Sequence, residues 1–168
     1  MTKELIQKAH KIELLITDND GVLTDAGVYY GEQGEVLKRF SIRDGMGVER
    51  LRKLVQVETG IMTGERSPSV AKRAEKLQIK ELHLGIKNKI QKLNEVMERL
   101  QLEPEQIAYI GDDVNDLEVM KHVGLTATPN DGMKMVKAVA DYICENKGGN
   151  GAFREFAELI IECKLTTK

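Results

Sequence analysis

The 168 residues carry 25 Lys and Arg against 27 Asp and Glu, a net charge of -2, with 41% hydrophobic residues. This composition suits a soluble globular chain of single-domain length. There is no basic excess to release counterions from a phosphate backbone, so nucleic acid is not an expected partner, and no apolar run reaches the roughly 20 residues of a membrane span. Residues 1–16 lack the order of a signal peptide, and Cys144 and Cys163 stand in no metal-ligand spacing. Both features point to reduced thiols in a cytoplasmic protein.

In chain order, a short polar helix leads into an apolar strand at residues 12–17, which ends on acidic residues. Residues 28–40 hold two β-prone runs around Gly31 and Gly34, the pattern of a hairpin. A helix follows at 47–54 and a second core strand at 57–62. Ser67 as N-cap with Pro68 at the first helical position opens a helix to about Leu77. A short strand at 81–84 and an amphipathic helix at 87–100 come next. Then a strand at 106–110 reaches Gly111-Asp112-Asp113, followed by a helix to about His122. Residues 124–127 and 141–143 read as the last strands, with a short helix at 133–139 between them. Gly148 to Gly151 is a loop before a terminal helix at 153–163. Strands alternating with helices predict an α/β fold, an open parallel sheet of Rossmann-like kind, in one domain over residues 1–168.

Three strands end in polar residues able to do chemistry: Asp18 with Asp20, Thr63, and Asp112 with Asp113. Open α/β sheets bind ligands beyond the carboxyl ends of their strands, so these groups are expected in one crevice. Two carboxylates one residue apart at a strand end repel unless a cation neutralises them, and hard oxygen ligands suit Mg²⁺. The same Asp-Asn-Asp-Gly is also good turn sequence for backbone reasons alone. Acid at a helix N-terminus accounts for Asp113 and Asp116 through the macrodipole and leaves Asp112 open. Thr63 with neighbouring amides can hold a phosphate oxygen or simply turn the chain toward Ser67. Lys89, at a helix start, reads as a surface residue unless a phosphate needs a cation.

Asp18-Asn19-Asp20-Gly21-Val22-Leu23-Thr24-Asp25, Met62-Thr63-Gly64, Lys89 and Gly111-Asp112-Asp113 resemble, in that order, the four signature motifs of the haloacid dehalogenase-like phosphatases. Tyr30-Gly31, Phe40, Asp44-Gly45 and Gly148-Gly149-Asn150-Gly151-Ala152 extend the likeness over nearly the whole chain. They are similar to the capless subfamily of 3-deoxy-D-manno-octulosonate 8-phosphate (KDO 8-phosphate) phosphatases. The resemblance implies Asp18 as nucleophile and Mg²⁺ ligand, and Asp20 as general acid and base, its main-chain carbonyl also on the metal. It implies Asp112 as third ligand and Thr63 and Lys89 as holders of the phosphoryl group. Asp113 would support Lys89 or the metal's water shell, with Gly64 and Arg66 as further substrate or support positions. Two positions depart from the subfamily pattern: Glu65 replaces an expected arginine, and Ala26 an expected glycine.

Neither the stretch between Asp20 and Thr63 nor that between Lys89 and Asp112 has room for a cap domain. An open site is poorly screened from water. The expectation is therefore a homo-oligomer, a tetramer by resemblance, organised by the hairpin and with the Gly148–Ala152 segment near an active site. The alternative leaves that segment a plain connecting loop and Lys38, Arg39 and Arg43 solvated. The small-molecule partner implied is a sugar phosphate, KDO 8-phosphate first and a nonulosonate 9-phosphate as the alternative. A catalytically silent oligomerisation module is the competing class.

Overall fold

Three apolar residues and a threonine, free of turn formers, Leu14–Thr17 (β1), make a fully buried central strand in the computed structural model, which describes residues 2–166. Glu58–Met62 (β4) pairs with one side of it and Ile107–Ile110 (β6) with the other, both parallel. Glu81–His83 (β5) extends the β4 side, while Leu125–Thr128 (β7) and Tyr142–Ile143 (β8) extend the other, giving the order β5-β4-β1-β6-β7-β8. Thr24–Gly31 (β2) and Gly34–Phe40 (β3) form a separate antiparallel hairpin.

Side chains alternate between the two faces of the sheet, so neighbours along a strand enter different cores. Leu15, Ile61, Ala108, Ile110, Leu125 and Ala127 pack with buried residues of four helices: Lys3–Lys11 (α1), Ile42–Val55 (α2), Pro68–Leu77 (α3) and Ala152–Leu165 (α7). Leu14, Ile16, Met62, Ile107 and Tyr109 pack on the other face with Lys89–Leu100 (α4), Leu117–Met120 (α5) and Lys134–Lys137 (α6). Helices on both faces let a parallel sheet consist of near-continuous apolar strands. Each fully buried aliphatic side chain contributes about 1.5–3 kcal/mol.

Some elements differ from the sequence reading for local reasons. The helix expected from residue 47 starts at Ile42, where Ser41 Oγ accepts from Asp44 N–H at 3.4 Å. Its apolar pattern is interrupted at Gly47, where Phe153 and Arg154 press against the helix. The hairpin begins at Thr24 rather than 28, through an irregular register between Thr24 and Val28 in which Ala26 takes φ +60°. The helix expected after Asp113 is broken into a 3-10 turn at Val114–Asp116 and the short α5. Asp116 is fully buried at the break.

Candidate active site

Thr17 pairs with Ile61 on one side and with Ile110 on the other. Asp18, Thr63 and Asp112 therefore leave adjacent strands within one residue of the same level. Asp18 N–H donates to Ile110 O at 3.0 Å and Thr63 N–H to His83 O at 3.0 Å, which holds both residues to the sheet edge. Immediately afterwards the chain turns sharply: the amides of Val22, Leu23 and Thr24 all converge on the Asn19 carbonyl. Gly21, at φ +86°, lies so close to Asp112 that a Cβ there would sit 2.0 Å from its Oδ2.

These strand tips line a cavity of about 250 Å³ bounded by Asp18, Asp20, Thr63, Gly64, Asp112 and Asp113, with Ala26, Glu65 and Asn115 at its walls. A larger space of about 370 Å³ opens beside Glu13, Glu58 and Lys80 and contains none of the strand-tip residues.

Carboxylate oxygens of Asp18, Asp112 and Asp116 all lie within 4.8 Å of one another. Burial raises the Asp18 carboxyl to about 7, with the Asp116 charge adding to the effect. Burial likewise raises Asp112 to about 8, reinforced by Asp18, Asp116 and Asp113. Such mutual repulsion is what a hard divalent cation relieves, so the residues present fit a bound Mg²⁺.

Lys89 begins α4, with its side chain 4% exposed, and its Nζ lies 3.0 Å from Asp18 Oδ2 and 2.7 Å from Asp116 Oδ1. Burial alone would lower this ammonium's pKa, but Asp18 and Asp116 raise it, so it stays charged. Asp116 also accepts from Tyr109 OH at 2.6 Å and from the amides of Asp112 and Asp113 at 3.0 and 3.3 Å. Lys89 is thus supported by Asp116. The Asp113 carboxylate instead accepts from Val114 N–H at 2.7 Å and has no lysine partner among the described residues. To the macrodipole account of Asp116 the same geometry adds a buried ion pair with Lys89. Its signal in the sequence was the four-residue spacing from Asp112, which returns a carboxylate over the strand tip.

Thr63 is buried, and its hydroxyl oxygen accepts from Glu65 N–H at 3.2 Å, leaving the hydroxyl proton to donate. Gly64 and Glu65 are exposed beside it. Arg66 is exposed and lies over Gly85 rather than lining the cavity. The alternative that leaves Lys38 solvated does not fit the structure. Lys38 is buried, with Nζ 2.6 Å from Asp20 Oδ1. Arg39 bridges Asp25, the Gly149 carbonyl and Asn150 Oδ1. The glycine-rich segment packs on this chain's own strand-exit loop, with Gly149 N–H donating to Val22 O at 2.8 Å. Asp44 anchors its far end by accepting from Gly151 N–H at 3.3 Å and Arg154 N–H at 2.9 Å, at the start of α7.

A family model described as haloacid dehalogenase-like hydrolase matches residues 57–156. The 3-deoxy-D-manno-octulosonate 8-phosphate phosphatase KdsC of Yersinia pestis is 42% identical over 158 residues, covering 94% of this chain and 84% of the relative. Its counterpart in Escherichia coli K12 is 39% identical, covering 96% and 85%. A crystal structure of the corresponding phosphatase from Moraxella catarrhalis, in complex with magnesium, phosphate and KDO, superposes with a TM-score of 0.93 at 36% identity, covering 98% of this chain and 94% of that one. With the motif residues gathered at the tips of β1, β4 and β6, the chain belongs to the haloacid dehalogenase-like hydrolases, in their phosphatase branch.

Proposed function

We propose that residues 1–168 form one cytoplasmic, Mg²⁺-dependent phosphomonoesterase domain that hydrolyses KDO 8-phosphate to KDO and phosphate, a step of lipopolysaccharide biosynthesis. The observation that carries this reading is the buried Asp18–Lys89–Asp116 cluster with Asp112 beside it, at the edge of a cavity sized for a phosphorylated group. The relatives named above supply the substrate.

Asp18, Asp112 and the Asp20 carbonyl would hold the ion, since the Asp116 oxygens are engaged by Lys89, Tyr109 and two amides. Bound Mg²⁺ draws charge from the phosphoryl oxygens, which allows a carboxylate to approach phosphorus. An Asp18 oxygen then bonds to phosphorus as the bond to the sugar oxygen breaks, and Asp20 gives its proton to the leaving alkoxide. In the second half Asp20 takes a proton from water, which attacks phosphorus and frees Asp18. Lys89 and the Thr63 hydroxyl orient the phosphoryl oxygens and offset their charge, with Gly64 shaping the same wall. Asp113 borders the cavity where the ion's water would lie.

A second substrate is favoured by one residue. Glu65 lines the cavity, and the neighbouring Arg66 does not. A carboxylate there accepts from hydroxyls rather than pairing with a substrate carboxylate, which suits the longer polyol tail of a nonulosonate 9-phosphate. Assays with Mg²⁺ on both sugar phosphates, repeated with EDTA and with Asp18→Asn, test the whole reading. Turnover should require the metal and vanish in the variant while the fold persists. Metal-independent activity would refute it.

We further propose a homotetramer built on the hairpin. The hairpin exposes Tyr29, Tyr30 and Val36 at 62%, 75% and 60%, apolar surface that isolated monomers seldom present. Light scattering measures the assembly directly, and a fully active monomer would refute it.

A further inference from the structure

The hairpin carries its lysine on the wrong face for a strand concerned only with stability. Alternation on β3 turns Leu37 outward, 48% exposed, while the Lys38 side chain points in and is 1% exposed. Burying an ammonium is costly without carboxylate partners. Lys38 has two, with Nζ 2.6 Å from Asp20 Oδ1 and 3.6 Å from Glu35 Oε2. Glu35 in turn accepts the hydroxyl of Ser67, which caps α3 just beyond the Thr63 turn. A polar chain therefore runs from Asp20 through the hairpin to the segment that carries Thr63.

On Asp20 the donors are one-sided. Lys38 Nζ, Asn19 Nδ2 at 3.1 Å and Thr24 Oγ1 at 3.4 Å all address Oδ1. Oδ2 is buried and has no hydrogen-bond partner among the described residues. Three donors on one oxygen hold the carboxyl in a single rotation about its stem.

We propose that Lys38 is a positioning residue for Asp20: it pins Oδ1 and so fixes the rotation in which the carboxyl borders the cavity and meets the leaving group. This rests on the acid–base role given to Asp20 above. It also makes the hairpin, the element expected to organise the assembly, part of the site's own geometry.

The test uses the full-length enzyme with Mg²⁺ and compares Lys38→Met, which keeps the stem and removes the charge, with Lys38→Arg. Two substrates are read by kcat/KM. One is KDO 8-phosphate, whose alkoxide leaving group needs a proton, and the other is p-nitrophenyl phosphate, whose leaving anion does not. Lys38→Met should lose about 10- to 100-fold on the sugar phosphate, the scale of a misplaced acid, and less than about threefold on the nitrophenyl ester. Lys38→Arg should recover part of the sugar-phosphate loss. The Mg²⁺-induced rise in Tm should be unchanged in both variants. Should Lys38→Met not fold, Lys38→Gln removes the charge and must show the same split between substrates. Equal losses on the two substrates, or no loss on either, would overturn the role of Lys38 while leaving the phosphatase reading intact. A wild-type enzyme inactive on both substrates would overturn both.

Discussion

Replacing Gly21 by alanine should strike the metal centre from outside the ligand set. A Cβ at this position would lie 2.0 Å from Asp112 Oδ2 and 2.5 Å from its Cγ, where ordinary contact begins at 3.4 Å. The carboxylate must retreat by more than about 1 Å, which disturbs the group of oxygens now within 4.8 Å of one another. The backbone adds strain, because φ is +86° and an L side chain in the left-handed region costs about 1–2 kcal/mol. Overpacking contributes about 1–3 kcal/mol more. Displacement of a reacting or ligating group by about 1 Å lowers turnover on the order of 10²-fold. Gly34→Ala is the internal control: φ is +107° there, yet nothing lies within 4 Å of the added Cβ. It should show the backbone cost and no change at the site. Urea denaturation gives the stabilities, and Mg²⁺ titration calorimetry with phosphatase kinetics gives the site effects. Gly21→Ala with wild-type Mg²⁺ affinity and turnover would show that Asp112 is not where the metal chemistry happens.

Asp116→Ala should destabilise the fold by about 3–5 kcal/mol in urea titrations, because Lys89 and Tyr109 are left in a buried site without their shared carboxylate. Ala26→Gly should stabilise the protein by up to about 1 kcal/mol, since Ala26 holds φ +60° and glycine adopts that conformation without a steric cost; a loss of Tm would contradict this. The raised carboxyls give a pH dependence whose sign is fixed. Asp18 at about 7 and Asp112 at about 8 both stand above their usual 3.8. The metal-free fold therefore holds protons that the unfolded chain has lost, and its stability falls as pH rises from the ordinary carboxylate range through about 8. Mg²⁺ displaces those protons, so its apparent affinity should rise on the order of tenfold per pH unit for each proton released. Thermal shifts with and without Mg²⁺ at low and high pH test this. A Mg²⁺-dependent gain in Tm that shrinks toward high pH would refute it.

Much of the architecture follows from residue order alone. Apolar runs ending in Asp18, Thr63 and Asp112 specify strands and their tips, and Ser67-Pro68 specifies a helix start, because periodicity and capping act over a few neighbouring residues. The same local signals misplaced the start of α2, since Gly45 and Gly47 break its apolar rhythm while other helices pack against them. They also could not say what Asp116 and Lys38 do. A carboxylate near a helix start reads as a partner of the macrodipole and a lysine in a hairpin has no assigned role, and each acquires its role from a partner far along the chain: Lys89 for Asp116, and Asp20 for Lys38. Glycine's place in the family pattern at Ala26 becomes intelligible only with the left-handed φ the hairpin imposes. Sequence by itself determined which groups stand at the strand ends. The parallel register of β1 with β4 and β6 decided that they meet, because burial and charge pairing at the site depend on distances between residues that local sequence does not encode.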